Sequence, residues 1–139
     1  MYGTLDISTS GMIAQRTRLT AISANLANQH AVDPDGTPYR ARLVMFAPGD
    51  PSATTPEGQR FGTHVARIEM DKRPFNLRWD PGNPSAINEG PQAGYVRSSN
   101  VNPVVEQINA MQASRAYEAN AIAAEATKAM MAQALRLLA

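Results

Sequence analysis

Residues 103–138 read PVVEQINAMQASRAYEANAIAAEATKAMMAQALRLL, and this stretch decides the fold of the 139-residue chain. It contains no glycine, and its one proline stands at the first position, directly after Asn102. Asparagine followed by proline is a preferred helix start, because asparagine caps free N–H groups and proline lacks the N–H that would need a partner. The alanine-rich sequence that follows favours helix throughout. We therefore predict one helix over Pro103–Leu138, about 54 Å long.

A second helix is predicted at the other end of the chain. Large apolar residues recur at intervals of seven from Leu5 to Leu26. A seven-residue repeat produces a narrow apolar seam of the coiled-coil type. We expect this helix to begin near Asp6, as an N-cap or in the first turn, and to end near Asn28, which suits a C-terminus.

The middle of the chain is rich in turn-forming residues, since all ten prolines lie between the two helical segments or at the start of the second. Alternating apolar and polar residues predict three short strands, at 39–46, 66–70 and 75–79. Clusters of proline, glycine and aspartate predict turns or mobile loops at 47–60 and 80–84.

These elements predict a mainly α fold with a small β-rich insert. The expected division is an N-terminal helix at 1–30, a central turn-rich region with short strands at 31–101, and a long C-terminal helix at 102–139 that packs with the N-terminal helix. Alanine buries little apolar area, so one partner helix cannot stabilise the long helix well. We expect the two helices to find further neighbours in a coiled-coil layer; an ordinary two-helix hairpin on the middle region is the alternative.

Charge and composition exclude several classes of function. The chain carries 13 basic and 12 acidic residues, and no segment has the excess of positive charge that nucleic acid or an anionic membrane requires. The absence of cysteine excludes disulfides and thiolate metal sites. We expect neither a cleaved secretory signal peptide nor a membrane span, because no long apolar run is present.

Candidate chemical sites are weak. His30 and His64 have no second ligand at helical spacing. The stretch 33–36 (DPDG) resembles the middle of an EF-hand calcium loop, but Ala31 then stands at the first ligand position and Arg42 where the bidentate glutamate belongs, so a turn explains it. Glu69 and Asp71 stand beside Lys72 and Arg73, a pattern typical of a solvated charge cluster. We therefore predict no metal site, no cofactor and no enzymatic activity.

A set of short motifs follows in order along the chain: SANLAN at 23–28, YR at 39–40, PF at 74–75, DPGNP at 80–84, GYV at 94–96, NVN at 100–102 and ASRAYEAN at 113–120. The first two resemble the signature of bacterial flagellar rod and hook proteins. The whole set, which spans nearly the entire chain, resembles the proximal rod proteins of the flagellar basal body in particular.

The resemblance implies a structural, non-enzymatic subunit whose terminal helices form the inner coiled-coil layer of a helical tube. The tube is the proximal rod, which stands in the periplasm, and its subunits are exported unfolded through the flagellar type III channel without a cleaved signal. The implied partners are other copies of the chain, the rod proteins FlgB, FlgF and FlgG, and the adaptor FliE.

The helix seams are the expected assembly interface. Within the SANLAN motif, Asn25 and Asn28 share a helix face, where they can hydrogen-bond across an interface or simply end the helix. The predicted interface residues are Leu5, Met12, Leu19, Ile22, Asn25, Leu26, Asn28, Ile108, Met111, Tyr117, Ile122, Met130, Leu135 and Leu138. The alternative function is a cytoplasmic coiled-coil adaptor or export-chaperone-like protein that binds its partner through the Ala/Met face of 108–138.

Overall fold

A computed structural model describes residues 2–138, with the side chain of Leu138 outside the described part. The chain is mainly helical with a small β-rich insert, as the sequence predicts, and helices account for about half of it. The elements are α1 (Tyr2–Ala27), β1 (Arg42–Pro48), α2 (Pro56–Phe61), β2 (Thr63–Met70), β3 (Asn76–Trp79), β4 (Tyr95–Ser98) and α3 (Pro103–Leu138).

Helix α3 begins where the Asn102-Pro103 pair predicts. The Asn102 Oδ1 atom accepts hydrogen bonds from the backbone N–H groups of Val104 and Val105, at 3.1 and 3.3 Å. Glu106 adds negative charge in the first turn, which the helix dipole favours. Local capping chemistry therefore fixes this boundary.

Helix α1 begins at Tyr2, so the predicted start near Asp6 is wrong. Asp6 does not cap α1: its Oδ2 accepts hydrogen bonds from the Thr55 backbone N–H and hydroxyl, at 2.9 and 2.7 Å. The carboxylate thus joins α1 to the residue that caps α2. At the other end α1 stops at Ala27, close to the predicted Asn28.

The four strands form two separate antiparallel pairs, β1 with β2 and β3 with β4. The first three coincide broadly with the predicted strands, whereas β4 was not predicted. The prediction of a loop over 47–60 is wrong in part, because α2 begins at Pro56, after Thr55, whose hydroxyl accepts a bond from the Gly58 N–H.

The two long helices pack against each other, and small residues make the contact. Ala14, Ala113 and Ala124 are buried. At Gly11 a Cβ atom would lie within 2.8 Å of the Asn120 amide nitrogen, so the axes approach closely there. Hydrogen bonds from Arg18 to Asn109 and from Asn25 to Glu106 show that α1 and α3 run antiparallel. Among residues 2–138, none of the helices has the length and hydrophobicity needed to cross a bilayer.

Candidate assembly surfaces

Asn25 lies at the point where α1, β1 and α3 meet, and its side chain is only 1% exposed. Its Oδ1 accepts hydrogen bonds from the Arg42 backbone N–H at 2.8 Å and from the Tyr39 hydroxyl at 3.1 Å. Its Nδ2 donates to the Arg42 carbonyl at 3.0 Å and to Glu106 Oε2 at 3.2 Å. Every polar atom of the amide is therefore used, and one side chain ties three elements together.

The two asparagines of the SANLAN motif have different roles. Asn25 bonds across elements, whereas the Asn28 side chain donates back to the Ala24 carbonyl at 2.8 Å, at the end of α1. Asn25 therefore has the first role that the spacing allowed, hydrogen bonding across a contact between elements. Asn28 has the second, at the end of the helix.

A second buried polar cluster lies around Asp71, which is 3% exposed. The expectation of a solvated charge cluster at Glu69 and Asp71 is therefore wrong for Asp71. Its carboxylate accepts hydrogen bonds from the Arg73 backbone N–H at 2.9 Å and from Arg73 Nε at 2.7 Å. The hydrogen bond from the Arg73 side chain holds the pKa of Asp71 below its ordinary value, although burial acts in the opposite direction.

Asn100 connects this cluster to the start of α3. Its Oδ1 accepts from the buried Ala41 N–H at 2.9 Å, and its Nδ2 donates to the Asp71 carbonyl at 3.2 Å. The Arg40 guanidinium donates to the same carbonyl at 3.0 Å and lies 4.1 Å from the centroid of the Phe75 ring. Sequence reasoning did not select Asp71, Asn100 or Glu106 as functional; the only signal was that NVN at 100–102 belongs to the quoted motifs.

The predicted interface residues of α1 fall into two groups, the buried ones and the seven-residue repeat. Ile22 and Asn25 are buried, while the four residues of the seven-residue repeat are half-buried. At about 100° per residue, that repeat drifts along the edge of the contact with α3 rather than through its centre. The repeat therefore keeps part of its apolar surface free.

The predicted residues of α3 are exposed in the single chain. The exposed fraction is 46% at Ile108, 57% at Met111, 66% at Ile122 and 59% at Met130. At about 100° per residue these four lie on the side opposite the buried Ala113 and Ala124, and we call them, together with Val104 and Leu137, the outer stripe. Tyr117 and Leu135 are exposed although they lie on the same side of α3 as the buried Ala113 and Ala124. The side chain of Leu138 lies outside the described residues. A stripe of large apolar residues along a helix marks an interaction surface.

Comparison with known proteins gives matches over both helices and over the full length. A family model described as "Flagella basal body rod protein" matches residues 5–29, and one described as "Flagellar basal body rod FlgEFG protein C-terminal" matches residues 92–137. The flagellar basal-body rod protein FlgC of Borreliella burgdorferi is 38% identical, covering 99% of this chain and 97% of the relative. The FlgC proteins of Salmonella typhimurium (39%; 95% and 93%) and Bacillus subtilis (34%; 98% and 97%) are also similar.

The chain belongs to the FlgC family. It is a structural subunit of the flagellar basal-body rod and not an enzyme, so the resemblance inferred from the motifs is confirmed. Each region matched by a rod-family model covers most of one long helix. The first contains Asn25, and the second contains all six residues of the outer stripe. Within residues 2–138 no three histidine, aspartate or glutamate side chains gather as metal ligands would.

Proposed function

We propose that α1 and α3 of this FlgC-family protein form the inner, coiled-coil layer of the proximal rod, a helical tube that transmits torque and encloses the export channel. The outer stripe carries this proposal. The exposed fraction of its six large apolar residues runs from 46% at Ile108 to 84% at Leu137. These residues lie on the side of α3 that α1 does not cover. Burying these residues against a neighbouring subunit stabilises the assembly by about 25 cal/mol for each Å² of apolar surface removed from water.

The helix pair offers neighbouring subunits two apolar surfaces. One is the outer stripe, and the other is the half-buried repeat from Leu5 to Leu26 on the flank of α1. Two different surfaces on one subunit support head-to-tail contacts between copies, and such contacts produce helical assemblies when they do not close into rings. This arrangement suits a tube better than a two-fold dimer.

The proposed setting is the periplasmic part of the basal body, which the chain reaches through the flagellar type III export channel without a cleaved signal. The proposed neighbours are further copies of the chain, the rod proteins FlgB, FlgF and FlgG, and the adaptor FliE. Support comes from the full-length similarity to proteins named as basal-body rod proteins.

A matched set of acidic substitutions on α3 tests the proposal. Ile122→Asp and Met130→Asp place a charge on the outer stripe, whereas Gln107→Asp makes the same charge change at an exposed position off the stripe. All three positions are exposed in the single chain, so the folded subunit should be nearly unchanged. A charge buried in an apolar contact without a partner costs several kcal/mol, and a polymer repeats that cost in every copy.

The readout is electron microscopy of basal bodies from cells that carry only the variant gene. We expect rods to be absent or truncated with Ile122→Asp and Met130→Asp and normal with Gln107→Asp, at equal levels of exported protein. Normal rods with both stripe variants would overturn the proposal. A purified chain that forms one small defined oligomer and never enters the rod would support the adaptor function instead.

A further inference from the structure

Two strand edges of the central insert are exposed and have no partner strand. Within residues 2–138, β2 pairs with β1 alone and β3 pairs with β4 alone, in separate sheets. Every residue of β3 is exposed, and so are residues 66–70 of β2. An exposed strand edge is a template for pairing with another chain, and most proteins protect such edges.

The hydrogen bonds of β2 show which of its backbone groups are free. The Asp71 N–H donates to the carbonyl of Ala41, the residue directly opposite in the β1–β2 register. In an antiparallel pair, alternate residues direct their backbone groups toward and away from the partner strand, so those of Ile68 and Met70 point away from β1. Nothing in the described part of the chain bonds to these groups.

The outer edge of β3 has the same property. The Asp80 N–H donates to the carbonyl of Gly94, which lies directly opposite in the β3–β4 register. The N–H and carbonyl groups of Leu77 and Trp79 therefore point away from β4. Among the described residues these groups also have no partner. Each edge thus presents two alternate residues whose backbone groups are free.

The free residues of both edges carry large, exposed apolar side chains. The exposed fraction is 50% at Ile68, 66% at Met70, 41% at Leu77 and 61% at Trp79. If β2 of one copy lies antiparallel to β3 of another with Ile68 opposite Trp79, Met70 lies opposite Leu77. Opposite residues whose backbone groups face each other exchange two hydrogen bonds, so this register forms four. It also joins a β-branched side chain to an aromatic one, a favourable cross-strand pair.

The charged residues between them favour the same register. Arg67 then lies opposite Asp80, and Glu69 lies opposite Arg78, in the pairs whose side chains are closest. A shift of two residues places Arg67 opposite Arg78, or Glu69 opposite Asp80, and like charges directly opposite each other are destabilising. Within one subunit Arg67 pairs with Glu69 and Arg78 with Asp80, so the contact would join two ion pairs into one alternating cluster.

Pairing of β2 with β2 of a second copy satisfies fewer groups. It can place Arg67 opposite Glu69, but Met70 then lies opposite Ala66, the residue at which the pairing with β1 is irregular. Only Ile68, opposite its own copy, keeps a full pair of backbone bonds. Such a two-fold contact also closes as a dimer, whereas a contact between two different edges repeats along a polymer.

We propose that β2 of each copy pairs antiparallel with β3 of a neighbouring copy in the rod, with Ile68 opposite Trp79. Backbone bonds supply the affinity of strand addition, and the side chains set its register. A contact of two short strands is far smaller than the roughly 1,200 Å² that a stable complex buries, so it strengthens a polymer and forms no dimer alone. The inference rests on the rod function proposed above, and it adds a contact that the outer stripe does not make.

Cysteine cross-linking tests the register, since the natural chain contains no cysteine. Glu69→Cys and Arg78→Cys are placed in separate copies, one of them with a size tag, and expressed together, so that a disulfide between them must join two copies. We expect this cross-link in isolated, mildly oxidised basal bodies, and also the one between Arg67→Cys and Asp80→Cys copies. The control pair, Arg67→Cys with Arg78→Cys, is two residues out of register and should yield at least about tenfold less.

Two substitutions of Ile68 separate backbone pairing from side-chain contact. Added to the Glu69→Cys copy, Ile68→Pro removes the outward N–H at an edge position where proline is tolerated, whereas Ile68→Ala keeps it. We expect Ile68→Pro to reduce the cross-link to Arg78→Cys by about tenfold, and Ile68→Ala to reduce it less. Urea unfolding of the purified variants checks that the subunit still folds, and the cysteine pairs test the register without either substitution.

Normal rods in which Glu69→Cys and Arg78→Cys copies do not cross-link would overturn this inference and leave the function of the outer stripe standing. Stronger cross-linking between Arg67→Cys and Glu69→Cys copies would assign the edge to two-fold pairing and would also overturn it. Conversely, rods that form with both outer-stripe variants contradict the proposed function, and the cross-links in those rods still test the strand contact.

Discussion

At the scale of single residues, polar side chains rather than large apolar ones define the junction of the fold. Asn25 is the largest side chain that is fully buried, and its four hydrogen bonds join α1, β1 and α3. The sequence identified Asn25 and Asn28 as a pair but could not separate their roles, because both lie on one helix face. Burial, which depends on distant segments, makes the difference.

Replacing Asn25 by alanine should destabilise the folded chain by about 3 kcal/mol. The change removes four hydrogen bonds and leaves the Arg42 N–H and the Glu106 carboxylate without that partner in a buried setting. The control Asn28→Ala loses one local bond and should cost about 1 kcal/mol or less. Urea unfolding of the purified subunit measures both; equal losses would show that Asn25 is not the junction.

Asp71 should make stability depend on pH in the acid range. Because its pKa is lowered in the folded chain, chiefly by the hydrogen bond from Arg73, the ionised form favours folding. Its contribution is present above the unfolded pKa of about 4 and is lost as pH falls through the lower folded value. Asp71→Asn should therefore be less stable than wild type at pH 7 and lose less stability between pH 5 and 2.

The matched control is Asp80→Asn, which changes an exposed carboxylate in a surface ion pair with Arg78. Surface pairs contribute little, so this variant should follow the wild-type pH profile. Parallel profiles for wild type and Asp71→Asn in urea unfolding at each pH would count against the role of Asp71.

At the scale of elements, the sequence predicted what local chemistry decides and missed what tertiary contacts decide. The Asn102-Pro103 cap set the start of α3 correctly, since every atom involved is within three residues. The predicted start of α1 near Asp6 was wrong for the opposite reason, because Asp6 bonds to Thr55, which is far away in sequence. Helix α2 is six residues long and contains glycine, so it is too short to show the apolar periodicity by which a helix is predicted.

Because α1 and α3 approach closely at Gly11, a large side chain there should destabilise the fold, whereas the same change at Gly82 should not. Gly11→Leu drives a side chain into the Asn120 amide, where even a Cβ would come within 2.8 Å. Overpacking costs about 1–3 kcal/mol, more than the helix propensity gained by replacing glycine. Gly82→Leu is the control, because nothing lies within 4 Å of a Cβ there.

Thermal unfolding of the two variants distinguishes them. The melting temperature should fall clearly for Gly11→Leu and change little for Gly82→Leu, since the loop position has open space. A Gly11→Leu subunit as stable as wild type would mean that the helices do not need this contact.

At the scale of the whole molecule, the single chain is an incomplete packing unit. Among the side chains described, from Tyr2 to Leu137, the buried hydrophobic ones are mostly alanines, while twenty large apolar ones are exposed. Composition alone predicted this imbalance, because alanine-rich helices bury little area. The sequence could not predict which flank the β-rich insert covers, since that depends on contacts such as Asp6 with Thr55 and Thr63 with Ser10.

The length difference between the helices shows where packing is thinnest. Bonds from Arg18 to Asn109 and from Asn25 to Glu106 set the register of the antiparallel pair. At about 1.5 Å per residue, α1 stops covering α3 near Ala129. Beyond that point Met130, Leu135 and Leu137 are exposed, so the last turns of α3 depend on neighbours for burial.

Amide hydrogen exchange should therefore follow a gradient along α3 in the isolated subunit. Residues 106–127 face α1 and should be the more protected part, whereas 130–137 should exchange at least about tenfold faster, because a helix end without tertiary packing opens readily. In assembled basal bodies the difference should vanish, as neighbouring subunits cover the outer stripe. Gln107→Asp should show the gradient in the isolated subunit and lose it on assembly, as the unchanged chain does. Ile122→Asp should show the gradient in the isolated subunit but should not lose it, because it does not assemble. Equal protection along α3 in a verified monomer would show that the terminal turns are stable alone, and that assembly is not what completes them.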